Sequence, residues 1–358
     1  MSKNDNPRPI CSIIVPSLRE PEFTRNLADY PAILRFLLRS RHESSSLISA
    51  EQASLHYLGY APVGAKELPA GICCLLGDSG EQMTQVVRAD PVFVKAEPDH
   101  ASIHSAAALQ LDKKDAENLV TGLNGHFEET GCRFHLGDSW RWYISGAELS
   151  GAEGTTLLAE PLNQVADRNV VSFLDQERQP VEWRRLLTEI QMVLHSLPVN
   201  IERMEQGLQP VNSLWAWGGH PLPLRTSEPD LVCYADDAFT RGLSRLSHIE
   251  SRPLSQSPEY SEEQSTMVSA RFLETLLLRQ AAASPGDFSS PQPVAAPDDS
   301  VNDLNSLQGG FKWLDQSLAH GMKKLARGKF SEIHLVPCDG EVLIMRRIDL
   351  LRFWSRKR

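Results

Sequence analysis

The chain has 358 residues, of which 41% are hydrophobic and 23% charged, with a net charge of −10. This is ordinary globular composition, long enough for a sizeable core and for two domains. The negative balance gives no chain-wide footprint for nucleic acid or an anionic membrane, so neither is expected as a partner. The N-terminal apolar run covers only residues 10–15, and no stretch reaches the ~20 apolar residues of a membrane span. Neither a signal peptide nor a membrane helix is read, and a cytoplasmic location is expected. The six cysteines form no C-x-x-C pair, which removes zinc-ribbon and thioredoxin-type readings. Cys73 and Cys74, inside the apolar run GICCLLG, are expected to be buried thiols.

In chain order, residues 10–15 read as a buried strand stopped by Pro16. A helix is predicted over 31–41, where Ile33, Leu34, Leu37 and Leu38 fall at helical spacing. A shorter helix over 50–58 ends at Gly59. Residues 71–76 and 85–94 are strand candidates, with Pro91 placed at an edge or bend of the second. Residues 115–130 read as a helix, followed by strands at 132–136 and 140–144 around a Gly137-Asp138 turn; this unit suggests a small α+β insertion. The 182–197 helix has the clearest buried stripe, formed by Trp183, Leu186, Leu187, Ile190, Val193 and Leu194. Strands at 213–217 and 231–235, a helix at 238–246, a helix at 311–327 and strands at 333–336 and 342–345 complete the pattern. Residues 251–266 and 283–303 are rich in Ser, Pro, Gln and acidic residues, and the second reads as a disordered linker.

Chemistry-bearing patterns are sparse. His100 and His104 would share a helix face, but Ala101 stands where a zinc-protease pattern requires Glu. No G-x-x-x-x-G-K-[ST], G-x-G-x-x-G or G-x-S-x-G run occurs. Gly77-Asp78-Ser79-Gly80 has the composition of a turn. Asp236 and Asp237 follow a strand and are the weak candidates for a metal site; the competing reading makes them a helix N-cap and a first-turn acid. The basic C-terminus, RRIDLLRFWSRKR, reads as a solvated tail or as a contact for an acidic surface.

The most informative stretch is 194–219, LHSLPVNIERMEQGLQPVNSLWAWGG. Pro198 ends the long helix, residues 199–207 form a short polar helical turn, and Gly218-Gly219 permit a tight turn or close approach to a ligand. Asn200, Arg203, Asn212, Gly218 and Gly219 are the candidate binding residues for a small phosphorylated or carboxylate ligand. The alternative is a structural junction whose polar side chains bond backbone.

This stretch resembles the segment that follows the inserted domain of archaeal-type cofactor-independent phosphoglycerate mutases. It is more similar still to a group of regulatory, mutase-like proteins of the RpfE type. Residues 88–92 (RADPV) and 58–62 (LGYAP) match in the same order. The resemblance implies an α/β fold: an alkaline-phosphatase-like three-layer α/β/α sheet domain over 1–98 and 199–358, with a smaller α+β domain inserted over 99–198. Active members isomerise 2- and 3-phosphoglycerate through a phosphorylated serine and two divalent metals held by Asp and His. Here Pro16-Ser17 stands where the first strand should end in Asp-Gly. The serine position falls near Ala50, beside Ser49 and Glu51, and the late metal motifs fall in the Ser/Pro-rich segment and a helix with His320. The resulting expectation is a catalytically degenerate, regulatory or ligand-sensing protein with no catalytic residues, no cofactor and a possible protein partner. The alternative is a mutase or phosphatase with an atypical divalent-metal site.

Overall fold

The computed structural model describes residues 8–16, 18–19, 21–24, 27–96, 101–105, 109–146, 159–165, 181–254, 264–271, 273, 276 and 306–351. The linker expected at 283–303, His100 and the end of the basic tail lie outside them. The strands are β1 (Ile10–Ile14), β2 (Arg41–Ser44), β3 (Val86–Ala96), β4 (Ala101–Ser105), β5 (Arg133–Asp138) and β6 (Arg141–Ser145). They continue as β7 (Ser213–Trp217), β8 (Leu231–Ala235), β9 (Ser251–Arg252), β10 (Ser265–Ser269), β11 (Glu332–Val336) and β12 (Glu341–Arg346). The chain divides into two compact units: 1–61 with 225–240 and 244–358, and 62–224 with 241–243.

The first unit is built on a seven-stranded sheet in the order β2-β12-β11-β1-β10-β8-β9. The strands from β11 to β9 run parallel, and β12 and β2 add an antiparallel edge. Alternation along β1 sends Cys11, Ile13 and Val15 into a core with Ile33, Phe36, Phe311, Leu314 and Leu318. Those partners come from the Pro31–Arg39 and Leu307–Ala326 helices. Tyr30 provides no side-chain cap to the first of these helices. Asp315 of the second supplies it instead, accepting from the Ala32 and Ile33 N–H groups at 2.7 and 2.9 Å. Ser12 points to the opposite face, where it bonds Tyr57 of the Ala50–Tyr57 helix. The layers are therefore helix, sheet, helix.

The second unit is a five-stranded sheet with β3 at its centre. One side of β3 pairs with β7 through Arg88–Val92; the other pairs with β6 at Val86–Arg88 and with β4 at Val92–Ala96. Ala89, Asp90 and Pro91 register with β7 alone, so Pro91 sits where its missing N–H interrupts no second ladder. The Lys113–His126 helix packs on β5 and on the Val181–Ser196 helix, which also covers β7. Residues 62–98 and 199–224 cluster with this unit, whereas the sequence-based division placed its limits at 98/99 and 198/199. The physical cause is the pairing of β3 with β7.

Most elements lie within a few residues of their expected positions, and several differ. Residues 71–76 are not a strand but part of the Ala70–Ser79 helix, which Gly80 ends in the left-handed region at φ +79°. The expected 77–80 turn is therefore that helix's last turn. The expected 31–41 helix stops at Arg39, and Arg41 opens the edge strand β2. The expected Gly137-Asp138 turn is displaced, because β5 continues through a bulge to Asp138. Strands β2, β4 and β9 were not expected, and neither was β10, unrecognised in a Ser/Thr-rich run yet lying between β1 and β8. His104 is on β4, so it presents no helix face with His100.

Candidate functional site

Three places concentrate chemistry-bearing groups. The first is the carboxyl edge of the parallel strands in the seven-stranded sheet, where open α/β sheets commonly bind ligands. Asp237, after β8, caps the Ala238–Leu246 helix through the Thr240 N–H at 2.8 Å and accepts the Ser269 hydroxyl at 2.7 Å. Asp236 is exposed and accepts the Leu254 N–H at 3.2 Å. Ser49 is the N-cap of the Ala50–Tyr57 helix and accepts from the Gln52 N–H at 3.2 Å. Glu51 follows in the first turn, only 2% exposed and ion-paired with Arg271. Ser54 and Thr240 share a buried hydroxyl–hydroxyl bond at 2.9 Å. Among the described residues, no three of His, Cys, Asp and Glu are grouped to hold a metal ion.

The second place is the 194–219 stretch. Asn200 is 1% exposed; its amide donates to the Leu194 and Val211 carbonyls at 2.7 and 2.8 Å and accepts the Val211 N–H at 2.9 Å. Arg203 is equally buried, donating to the Leu109 and Gln209 carbonyls and pairing with Asp115 at 2.8 Å. Asn212 copies a backbone pairing, accepting the Val94 N–H at 2.7 Å and donating to the Val94 carbonyl at 2.9 Å. Gly218 adopts φ +68° with Ala70 packed against its Cα, and its carbonyl accepts the Gly71 N–H at 2.8 Å. Gly219 is half-buried beside it. As placed, the three side chains address backbone groups and Asp115, and they converge on no common cavity.

The third place was not singled out as a site from the sequence. In the five-stranded unit, Arg141 makes a bidentate pair with Asp78 at 2.6 and 2.8 Å, and the Tyr143 hydroxyl donates to the same carboxylate at 2.5 Å. Arg241 approaches Asp78 at 3.5 Å and donates to the Gly77 carbonyl at 3.1 Å, while its buried Nε has no hydrogen-bond partner among the described residues. Arg88 pairs with Asp90 at 2.8 Å, and Asp90 also accepts the Trp217 indole N–H at 2.8 Å. The Arg88 guanidinium lies 4.9 Å from the Trp217 ring centroid and 5.5 Å from that of Trp140; Arg141 stands 4.6 Å from the Trp140 ring.

Burial pushes the Arg88 and Arg141 guanidiniums down, but their carboxylate neighbours outweigh it and hold both above the ordinary value. Burial, with Cys74 and Asp78 adding to it, raises the Tyr143 phenol. Strand alternation builds the cluster, since Arg88 and Asp90, and Arg141 and Tyr143, are each two residues apart. A charged pair at that spacing inside an apolar strand was the available signal. Asp78 gave none, because a turn-like GDSG run hid the last turn of a helix.

Two concavities lie elsewhere. A groove of about 1040 Å³ runs between the Lys113–His126 and Val181–Ser196 helices, past Met192 and Arg184. A hollow of about 400 Å³ lies along the Leu307–Ala326 helix around His320, Lys323, Lys324 and Arg327. Among the described residues, no helix is long and apolar enough to cross a membrane.

No protein-family model matches the chain. Three 2,3-bisphosphoglycerate-independent phosphoglycerate mutases are similar to part of it. That of Methanosarcina mazei is 28% identical over 129 residues, 36% of this chain and 32% of the relative. Those of Methanosarcina barkeri and Methanosarcina acetivorans are 25% and 26% identical over 125 and 120 residues. The match thus spans about a third of the relatives' length. Among solved structures, the PH0037 protein of Pyrococcus horikoshii aligns with TM-score 0.50 at 11% identity, over 95% of this chain and 88% of its own. The cofactor-independent phosphoglycerate mutase of Thermoplasma acidophilum aligns with TM-score 0.40 at 15% identity, over 95% and 90%. The chain is therefore similar to these mutases over about a third of its length, and its mixed α/β fold is similar to that of the PH0037 protein.

Proposed function

We propose that this chain is a non-catalytic relative of the phosphoglycerate mutases that binds a small phosphorylated or carboxylate anion and acts as a regulatory or ligand-sensing protein. The observation that carries this reading is the guanidinium cluster of the five-stranded unit. Three arginines, Arg88, Arg141 and Arg241, meet two buried carboxylates, Asp78 and Asp90, and Arg141 also lies 3.9 Å from the exposed Asp138. The guanidiniums outnumber the buried carboxylates, the buried Nε of Arg241 has no hydrogen-bond partner among the described residues, and Trp140, 37% exposed, marks where the cluster meets solvent. Guanidiniums held by carboxylates and stacked on indole rings are pre-oriented, so an arriving anion costs little reordering. The edge carboxylates support the non-catalytic half of the reading, because Glu51 and Asp237 are already engaged by protein donors. The side chains of Asn200, Arg203 and Asn212 are engaged by backbone groups and Asp115, so this proposal places the anion at the arginine cluster instead.

Isothermal titration of the full-length protein with 3-phosphoglycerate, beside inorganic phosphate, tests it. Saturable binding that Arg241→Gln weakens at least tenfold is expected. No saturable heat with either anion would sink the ligand-sensing reading. The matched relatives are enzymes by name, which favours the alternative of a mutase or phosphatase whose atypical metal site uses Asp236 and Asp237. Turnover by the purified chain would establish that alternative.

A further inference from the structure

The resemblance to the mutases implies two divalent cations held by Asp and His. The donor set at the carboxyl edge of the seven-stranded sheet does not fit them. Asp236 faces solvent, and both oxygens of Asp237 are engaged, one by a backbone N–H and one by the Ser269 hydroxyl. Glu51, the one deeply buried carboxylate there, is held by Arg271. The described residues offer no group of three His, Cys, Asp or Glu placed for a metal.

We infer that Arg271 is the resident cation of this edge, supplying Glu51 with the positive charge that a metal would otherwise provide. Three features support the assignment. A carboxylate 2% exposed is strongly disfavoured as an anion unless a positive partner stands beside it. Arg271 is that partner: its side chain is 20% exposed, and a guanidinium keeps its charge at every physiological pH. The backbone is arranged for the pairing. β10 ends at Ser269, the Ala270 N–H extends the ladder to the Ile14 carbonyl at 2.9 Å, and the next residue is Arg271. Ser269 and Arg271, two positions apart, thus deliver a hydroxyl to Asp237 and a guanidinium to Glu51. Glu51 also lies in the first turn of its helix, where the aligned N–H groups favour a negative charge. A dication entering here has to displace a covalently tethered cation and two hydrogen-bond donors.

The inference rests on the non-catalytic reading, but its test is separate from anion binding. Manganese is titrated into the full-length protein, with free Mn²⁺ followed by its paramagnetic resonance signal and thermal midpoints recorded in chelator and in Mn²⁺. The wild type is expected to leave the Mn²⁺ signal undiminished and to melt at the same midpoint in both. Arg271→Met is expected to lower the midpoint by several degrees, and the double variant Glu51→Gln/Arg271→Met to recover most of that loss. If Arg271→Met does not fold, the double variant and the wild-type titration still decide. Stoichiometric Mn²⁺ on the wild type, or a double variant no more stable than Arg271→Met, would overturn the assignment. Neither result depends on whether 3-phosphoglycerate binds.

Discussion

The carboxyl edge of the seven-stranded sheet and the guanidinium cluster of the five-stranded unit both bury charge, but they balance it differently. At the edge, each carboxylate is matched locally: Glu51 by Arg271, and Asp237 by a helix N–H and a hydroxyl. In the cluster, three guanidiniums meet two buried carboxylates and the exposed Asp138, and two of the guanidiniums lie against indole rings. A balanced set is closed to further ions. A set whose guanidiniums outnumber its buried carboxylates and which reaches solvent at Trp140 is what an anion would select. The proposed ligand recognition accordingly falls among the arginines and not at the edge carboxylates.

The largest expected effect breaks the cluster. Asp78 is 6% exposed at its side chain and holds Arg141, Tyr143 and Arg241 together. Asp78→Ala leaves the guanidiniums facing one another without their shared anion, and removing one partner of a buried pair costs roughly 3–5 kcal/mol. Urea unfolding monitored by tryptophan fluorescence measures this. A loss below about 1 kcal/mol, the size expected of an exposed pair, would show that the cluster is solvated. Its counterpart at the edge is the Arg271→Met comparison.

A smaller effect is expected at the junction. Asn200→Ala strands the Val211 N–H and two carbonyls in a buried setting, at a cost of about 1–3 kcal/mol. Its affinity for 3-phosphoglycerate should match that of the wild type under conditions where both are folded. A variant with unchanged stability and lost affinity would return the 194–219 stretch to the status of a pocket.

The sequence carried more of the fold than of the site. Amphipathic helices such as Val181–Ser196 announce themselves by period, and β1 and β8 stand out as short apolar runs bounded by Pro or Asp. GICCLLG did not, because a short apolar run has no period to separate a buried strand from a buried helix. β10 was hidden because STMVS places Thr266 and Ser269 in the sheet, where Ser269 bonds Asp237. The cluster depends on Asp78 and Arg241 meeting across 163 positions of chain, which no local pattern encodes. Asn200 and Arg203 were singled out as polar groups in an unusual setting. Only the structure shows which backbone atoms they satisfy.

The central claim is that a mutase-like fold here recognises an anion without transferring its phosphoryl group. The most direct measurement is a coupled assay for 3- to 2-phosphoglycerate conversion by the purified full-length chain, run with manganese and with chelator. The account predicts no turnover above the protein-free blank in either condition. Manganese-dependent turnover by the wild type would contradict it.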